Sequence, residues 1–126
     1  MKRILLALAG ATLLTVPAFA AGDVGAELTT AAMHAGLAAK AANIDGVHMH
    51  HALNCLEGSG GSDYDASNAN PCAKSGAGAI PDSADAGQKA KLQNAVGLLK
   101  TGLASNDMAA AAKDATDASN AITAAK

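Results

Sequence analysis

The sequence predicts an all-α protein: a small, Ala-rich, antiparallel helical bundle of three or four helices with a long disulfide-pinned loop. Alanine, which has the highest helix propensity, supplies 29 of the residues after position 20. Apolar residues recur at spacings of three and four, which places them on one face of a helix. A single stretch, about 57–82, is instead rich in Gly, Ser, Asn and Asp and contains two prolines, and we interpret it as a loop.

The first twenty residues have the pattern of a signal peptide. Lys2 and Arg3 precede an apolar run over 4–16, and Ala18-Phe19-Ala20 supplies the small residues that a signal peptidase recognises. A membrane anchor would need about 20 unbroken apolar residues. We therefore predict cleavage after Ala20, a bacterial periplasmic or secreted protein with no membrane anchor after cleavage, and one helical domain over 21–126.

The sequence predicts that the first helical region begins at Val24, with Asp23 as its N-cap. Its seven regularly spaced positions are His34, Leu37, Ala41, Ile44, His48, His51 and Cys55. Two alternatives remain open at Gly46. A helix that continues through Gly46 puts His34 about 21 Å from His48. A chain that reverses near Ile44 and Asp45 brings His34 opposite Cys55, so that His34 and His51 converge near Cys55.

The loop contains one of the two cysteines, and the other lies just before it. In an oxidising compartment Cys55 and Cys72 are expected to form a disulfide. Closing a loop of about 17 residues stabilises the fold by roughly 3 kcal/mol in the chain-entropy model.

Two further helices follow the loop. The segment Ser83 to Ala104 carries Leu92, Val96, Leu99 and Leu103 on one face. After a break at 105–107, a helix from Met108 onward keeps its three-and-four spacing to the C-terminus. We predict that these two helices form an antiparallel hairpin. Only 17 residues after position 20 are Leu, Ile, Val or Met, so we expect a core that buries little apolar surface.

Charge and aromatic content exclude several partners. After position 20, seven Lys and no Arg stand against eleven Asp and Glu, a net charge of −4 with neutral His. Nucleic acid and anionic lipid surfaces are therefore not expected partners. Tyr64 is the sole aromatic residue after position 20, which argues against base stacking and against an aromatic-lined pocket.

All four histidines lie within residues 34–51. His48 and His51 are three residues apart, so both imidazoles can reach one ion from a helix. His34, His50 and Met49 are candidate further ligands. Imidazole suits copper and zinc, and a thioether from Met49 or Met33 would favour cuprous copper. The pattern predicts a periplasmic protein that binds or buffers copper or zinc.

Two alternatives accompany the metal hypothesis. The histidines can be packing residues of a non-catalytic structural, stress or interaction protein whose helices present a surface to a partner. A haem-binding bundle is a weaker alternative, because almost no aromatic residues are present to pack a porphyrin. The sequence has no nucleophile elbow and no Gly-rich phosphate loop, so we do not expect an enzyme.

The segments His48-Met49-His50-His51-Ala52-Leu53-Asn54-Cys55, Asn70-Pro71-Cys72 and 76–82 resemble those of an uncharacterised family of small exported proteobacterial helical proteins. The resemblance covers about 50 residues. It implies a paired cysteine framework and a His-rich helix end, and it implies no activity.

Overall fold

The computed structural model describes residues 22–126, which form five helices and no strand. The predicted signal peptide lies outside these residues. The helices are α1 (Val24–Lys40), α2 (Gly46–Glu57), α3 (Ala79–Asp82), α4 (Ala86–Ala104) and α5 (Met108–Thr123). The four long helices pack in a ring, because α1 and α4 each contact both α2 and α5. The predicted all-α bundle is confirmed.

An aspartate caps each long helix. The four residues share one geometry, in which the side chain accepts a hydrogen bond from the backbone N–H three residues later; they are Asp23, Asp45, Asp85 and Asp107. Such a cap satisfies a donor that the helix leaves unpaired and contributes about 1 kcal/mol. The cap at Asp85 explains why α4 begins at Ala86 instead of Ser83.

The chain reverses between α1 and α2. Helix α1 ends at Lys40, Ala41 is extended, and Asp45 caps the new helix that begins at Gly46. Of the two alternatives at Gly46, the structure therefore has the reversal. It starts earlier in the chain than Ile44, so His34 lies beside His51, as expected for a reversal, and also beside His48 instead of opposite Cys55.

Alanines and a few larger side chains fill the core. The largest fully buried apolar residues are Leu28, Met49, Leu53, Leu56, Leu92, Leu99 and Ile122. Between them lie small residues such as Ala31, Ala35 and Ala115, which let the helices approach closely. The expected regular stripe is incomplete, because Leu37 is 44% exposed.

The predicted loop is attached to the bundle at two adjacent residues of α2. Cys55 and Cys72 form the expected disulfide, with their Cα atoms 5.1 Å apart. Asn54 is fully buried; its amide nitrogen lies 2.9 to 3.2 Å from the carbonyl oxygens of Asp65, Asn68 and Ala69, and its oxygen accepts from the Asp65 N–H at 2.9 Å. The short helix α3 occupies the last four residues of the stretch 57–82, where the prediction of a loop is wrong.

Glycines permit the close approach of the two ends of this loop. Gly58 and Gly78 have φ values of 63° and 116°, which L side chains rarely adopt. A Cβ atom on Gly58 would also collide with the Ala77 carbonyl oxygen.

Within residues 22–126, none of the helices is both long enough and apolar enough to cross a membrane.

Candidate metal centre

Three of the four histidines converge where α1 and α2 pack together. His34 lies in the third turn of α1, and His48 and His51 lie in the first two turns of α2. The ring centroids are 5.4 Å apart for His34 and His48, 5.0 Å for His34 and His51, and 5.8 Å for His48 and His51. We call these residues the histidine triad.

The triad can hold a metal ion. One ring nitrogen from each residue lies within 4.8 Å of one from each of the others, and all three residues are half-buried. In a tetrahedral zinc site with Zn–N bonds of about 2.0 to 2.1 Å, ligand nitrogens are about 3.3 Å apart. The nitrogens therefore need to approach by at most about 1.5 Å, a distance that small changes in side-chain torsions supply. Three protein ligands leave a fourth coordination position for water or another ligand.

Asp45 orients one member of the triad. One oxygen of its carboxylate, Oδ1, accepts from the His48 backbone N–H at 3.1 Å, and Oδ2 lies 2.5 Å from His48 Nδ1. A carboxylate only accepts hydrogen bonds, so Nδ1 carries a proton, and in the neutral ring Nε2 then has the lone pair that a metal needs. Carboxylates commonly hold metal-binding histidines in this way. Burial raises the pKa of Asp45, but its hydrogen bonds from His48 outweigh burial and leave that pKa below its usual value.

The other two members carry unsatisfied nitrogens. Nδ1 of His34 and Nδ1 of His51 are buried and have no hydrogen-bond partner among residues 22–126. A buried polar atom without a partner destabilises a fold by about 1 to 3 kcal/mol, so a ligand at these atoms would relieve the deficit.

Electrostatics keep these two imidazoles neutral. Burial lowers the pKa of His34, and the positive charges of protonated His51 and His48 lower it further. Burial and His48 also lower the pKa of His51, against the opposing effect of Asp45. Neutral imidazole is the form that binds metals, so the lowered pKa values of His34 and His51 favour the ligating state of these two residues.

The structure does not bring the other predicted ligands into the triad. His50 points to another face of α2, where its Nδ1 lies 3.4 Å from Asp65 Oδ2 without the alignment of a hydrogen bond. Met49 is fully buried, and a Cβ atom on Gly102 of α4 would lie 3.2 Å from its sulfur. Successive residues of a helix are rotated by about 100°, so Met49 and His50 lie on different faces of α2 from His48. The structure therefore gathers His34, His48 and His51, and a ligand role for His50 or Met49 stays a prediction.

Asp45 is the residue of this centre that the sequence analysis missed as a partner of His48. The sequence contained the signal for this contact. The side chain of a helix N-cap residue accepts a hydrogen bond from the backbone N–H three positions later, and so it lies close to the side chain of that residue. The Asp45-x-x-His48 spacing has this form.

Comparisons of the chain with known protein families, with curated proteins and with solved structures give no match. The resemblance to an exported proteobacterial family stays a prediction.

Proposed function

We propose that this protein binds Zn²⁺ or Cu²⁺ through His34, His48 and His51 and acts as a metal-binding or metal-buffering protein of the bacterial periplasm. The convergence of three half-buried imidazoles within 4.8 Å, one of them oriented by a carboxylate, is the observation that carries the proposal. Imidazole ligands suit divalent zinc and copper. Of the two thioethers that would favour cuprous copper, Met49 is buried in the core and Met33 is 55% exposed.

A binding role accounts for the centre better than a catalytic one. The charge of Asp45 acts on His51, and its carboxylate is hydrogen-bonded to His48, where it orients an imidazole. We therefore propose reversible metal binding without turnover of a substrate.

The periplasm is proposed from the leader-like N-terminus and from the disulfide, since disulfides persist in oxidising compartments. Expression of the full chain in a bacterial host tests this assignment. We expect the periplasmic fraction to contain a chain whose mass corresponds to cleavage after Ala20 and which is about 2 Da lighter than its reduced form, since pairing two thiols removes two hydrogens. A cytoplasmic chain with two free thiols would contradict it.

Metal titration of the chain purified without a His tag tests the binding proposal. We expect one Zn²⁺ or Cu²⁺ per chain and a rise in Tm of about 10 °C or more at a hundredfold excess of metal over Kd, because ligand binding to the folded state then adds about 2.7 kcal/mol. The His34→Ala/His48→Ala variant should lose most of this rise.

His50→Ala is the matched control, because His50 lies on the same helix outside the triad. It should keep the wild-type stoichiometry and shift. Equal metal-induced shifts in the wild type and in the His34→Ala/His48→Ala variant would refute the triad as the site and favour packing histidines.

A further inference from the structure

An open groove lies at the opposite end of α2 from the triad. Its walls are the turn that follows α2, the segment 77–81 and the first two turns of α4. Its volume is about 580 Å³, which falls within the range of about 300 to 1,000 Å³ that is usual for small-molecule sites. We call it the α3–α4 groove, and the lining side chains that matter here are Glu57, Ser59, Ile80, Pro81, Lys89 and Gln93.

Two half-buried side chains of opposite charge line this groove. Glu57 is the last residue of α2, and Lys89 lies in the first turn of α4. Within residues 22–126 neither of them forms an ion pair, with the other or with any other residue. Each charge is therefore free to bind the opposite charge of a ligand, and the groove favours a ligand that carries both an anionic and a cationic group.

Helix α3 gives the groove an apolar wall between the two charges. Ile80 is half-buried and Pro81 is exposed, and both line the groove. Apolar ligand surface that leaves water to cover them stabilises a complex. Ser59 and Gln93 add a hydroxyl and an amide that can donate or accept hydrogen bonds. The ligand that fits these surroundings has an aliphatic side chain beside its two charges.

Hydrogen bonds and glycines hold the walls of the groove in place. The Gly61 N–H donates to the Gly58 carbonyl oxygen at 3.0 Å, which closes the turn after α2. A Cβ atom on Gly61 would collide with the Glu57 carboxylate, so glycine here leaves room for that group beside the turn. The Gly78 N–H donates to Glu27 Oε1 at 3.0 Å and attaches the segment before α3 to α1. A groove with fixed walls loses little conformational freedom when a ligand binds.

We propose that the α3–α4 groove binds a small zwitterion with an aliphatic side chain, which is the chemistry of a free amino acid or of a very short peptide. The ligand's carboxylate pairs with Lys89, its ammonium group pairs with Glu57, and its side chain packs against Ile80 and Pro81. Hydrogen bonds between charged groups are the strong ones and select for both ends of the ligand. The site is separate from the triad and needs no metal.

NMR titration of the metal-free, ¹⁵N-labelled protein tests the proposal, with the N–H signals of Gly60 and Gly61 as reporters of the groove. The probes are free leucine, a dipeptide of two leucines, and the same dipeptide blocked by N-acetylation or by C-amidation. We expect the better of the unblocked probes to bind with a Kd of about 1 mM or less. Each block should weaken binding about tenfold, the usual effect of losing one hydrogen bond to a charged group. Tighter binding of leucine identifies free amino acids as the source of the ligand, and tighter binding of the dipeptide identifies peptides.

Variants of the two charged residues assign the ends of the ligand. Glu57→Gln should weaken dipeptide binding about tenfold and remove the further effect of N-acetylation, and Lys89→Gln should do the same for C-amidation. Lys91→Gln is the matched control, because Lys91 lies on the same helix outside the groove, where its Nζ donates to the Ala124 carbonyl oxygen at 3.1 Å. It should bind as the wild type does. The proposal is overturned if neither unblocked probe shifts the Gly60 and Gly61 signals at about ten times the expected Kd, or if the end blocks act equally on the wild type and on the two variants.

Discussion

Replacing Asp45 by asparagine separates the two roles of this side chain. In the structure one carboxylate oxygen caps α2 and the other accepts the His48 Nδ1 proton. Asparagine caps helices about as well as aspartate, so the side-chain oxygen of the introduced asparagine can still accept from the His48 N–H. Its amide group then faces Nδ1 as a donor. His48 would respond by moving its proton to Nε2, the nitrogen that the metal requires.

The expected result is a 10- to 100-fold loss of Zn²⁺ affinity, roughly the usual effect of removing a group that orients a metal-binding histidine. This loss equals about 1.4 to 2.7 kcal/mol. The Tm of the metal-free protein should change little, since the cap is kept. Asp45→Ala should lose affinity and about 1 kcal/mol of folding free energy together, because it removes the cap as well.

Competition titration against a chromophoric zinc chelator measures the affinity, and ¹⁵N NMR of the imidazole nitrogens reports the His48 tautomer. Asp107→Asn is the matched control, because Asp107 caps α5 with the same geometry. It should leave both measurements unchanged. If Asp45→Asn binds Zn²⁺ as tightly as the wild type, or retains the Nδ1–H tautomer, the carboxylate does not prepare His48 for a metal.

Three further predictions concern pH and the loop. Zn²⁺ should raise the Tm less at pH 5 than at pH 7, because protons compete for imidazole below its ordinary pKa of about 6.5; equal shifts at both pH values would exclude the triad. The unfolding free energy should fall by about 3 kcal/mol as pH rises from below 4.5 to above 7, since burial raises the pKa of Glu27 from 4.5 in the unfolded chain to about 7 in the folded one, and the folded state binds the extra proton. Glu27→Gln should remove this slope in urea titrations while keeping an acceptor for the Gly78 N–H, and an unchanged slope would show that another group titrates. Asn54→Ala should lower the unfolding free energy by about 3 kcal/mol, because it leaves the loop carbonyls and the Asp65 N–H without their buried partner; a change below about 1 kcal/mol in the same titrations would refute this role.

Local patterns were enough to predict three of the four long helices of this protein, but not the short helix α3 or the separate start of α2. Alanine content and apolar spacing predicted α1, α4 and α5, and the aspartate at position 23 predicted the first cap. These features depend on interactions within four residues, which a sequence displays directly. The disulfide was also predictable, because the chain has only two cysteines.

The metal centre depended on tertiary structure. The same histidine spacing fits a continuous helix, in which His34 lies about 21 Å from His48, and a hairpin, in which their rings are 5.4 Å apart. Sequence composition could not choose between them, because Gly46 is tolerated inside a helix at a cost of about 1 kcal/mol. The end of α1 at Lys40 and the cap at Asp45 decided the register, and the register selected His34 as the partner of His48 and His51. Burial of Met49 and the outward face of His50 followed from how α2 packs on α1 and α4, because contacts between helices determine which side of a helix is covered.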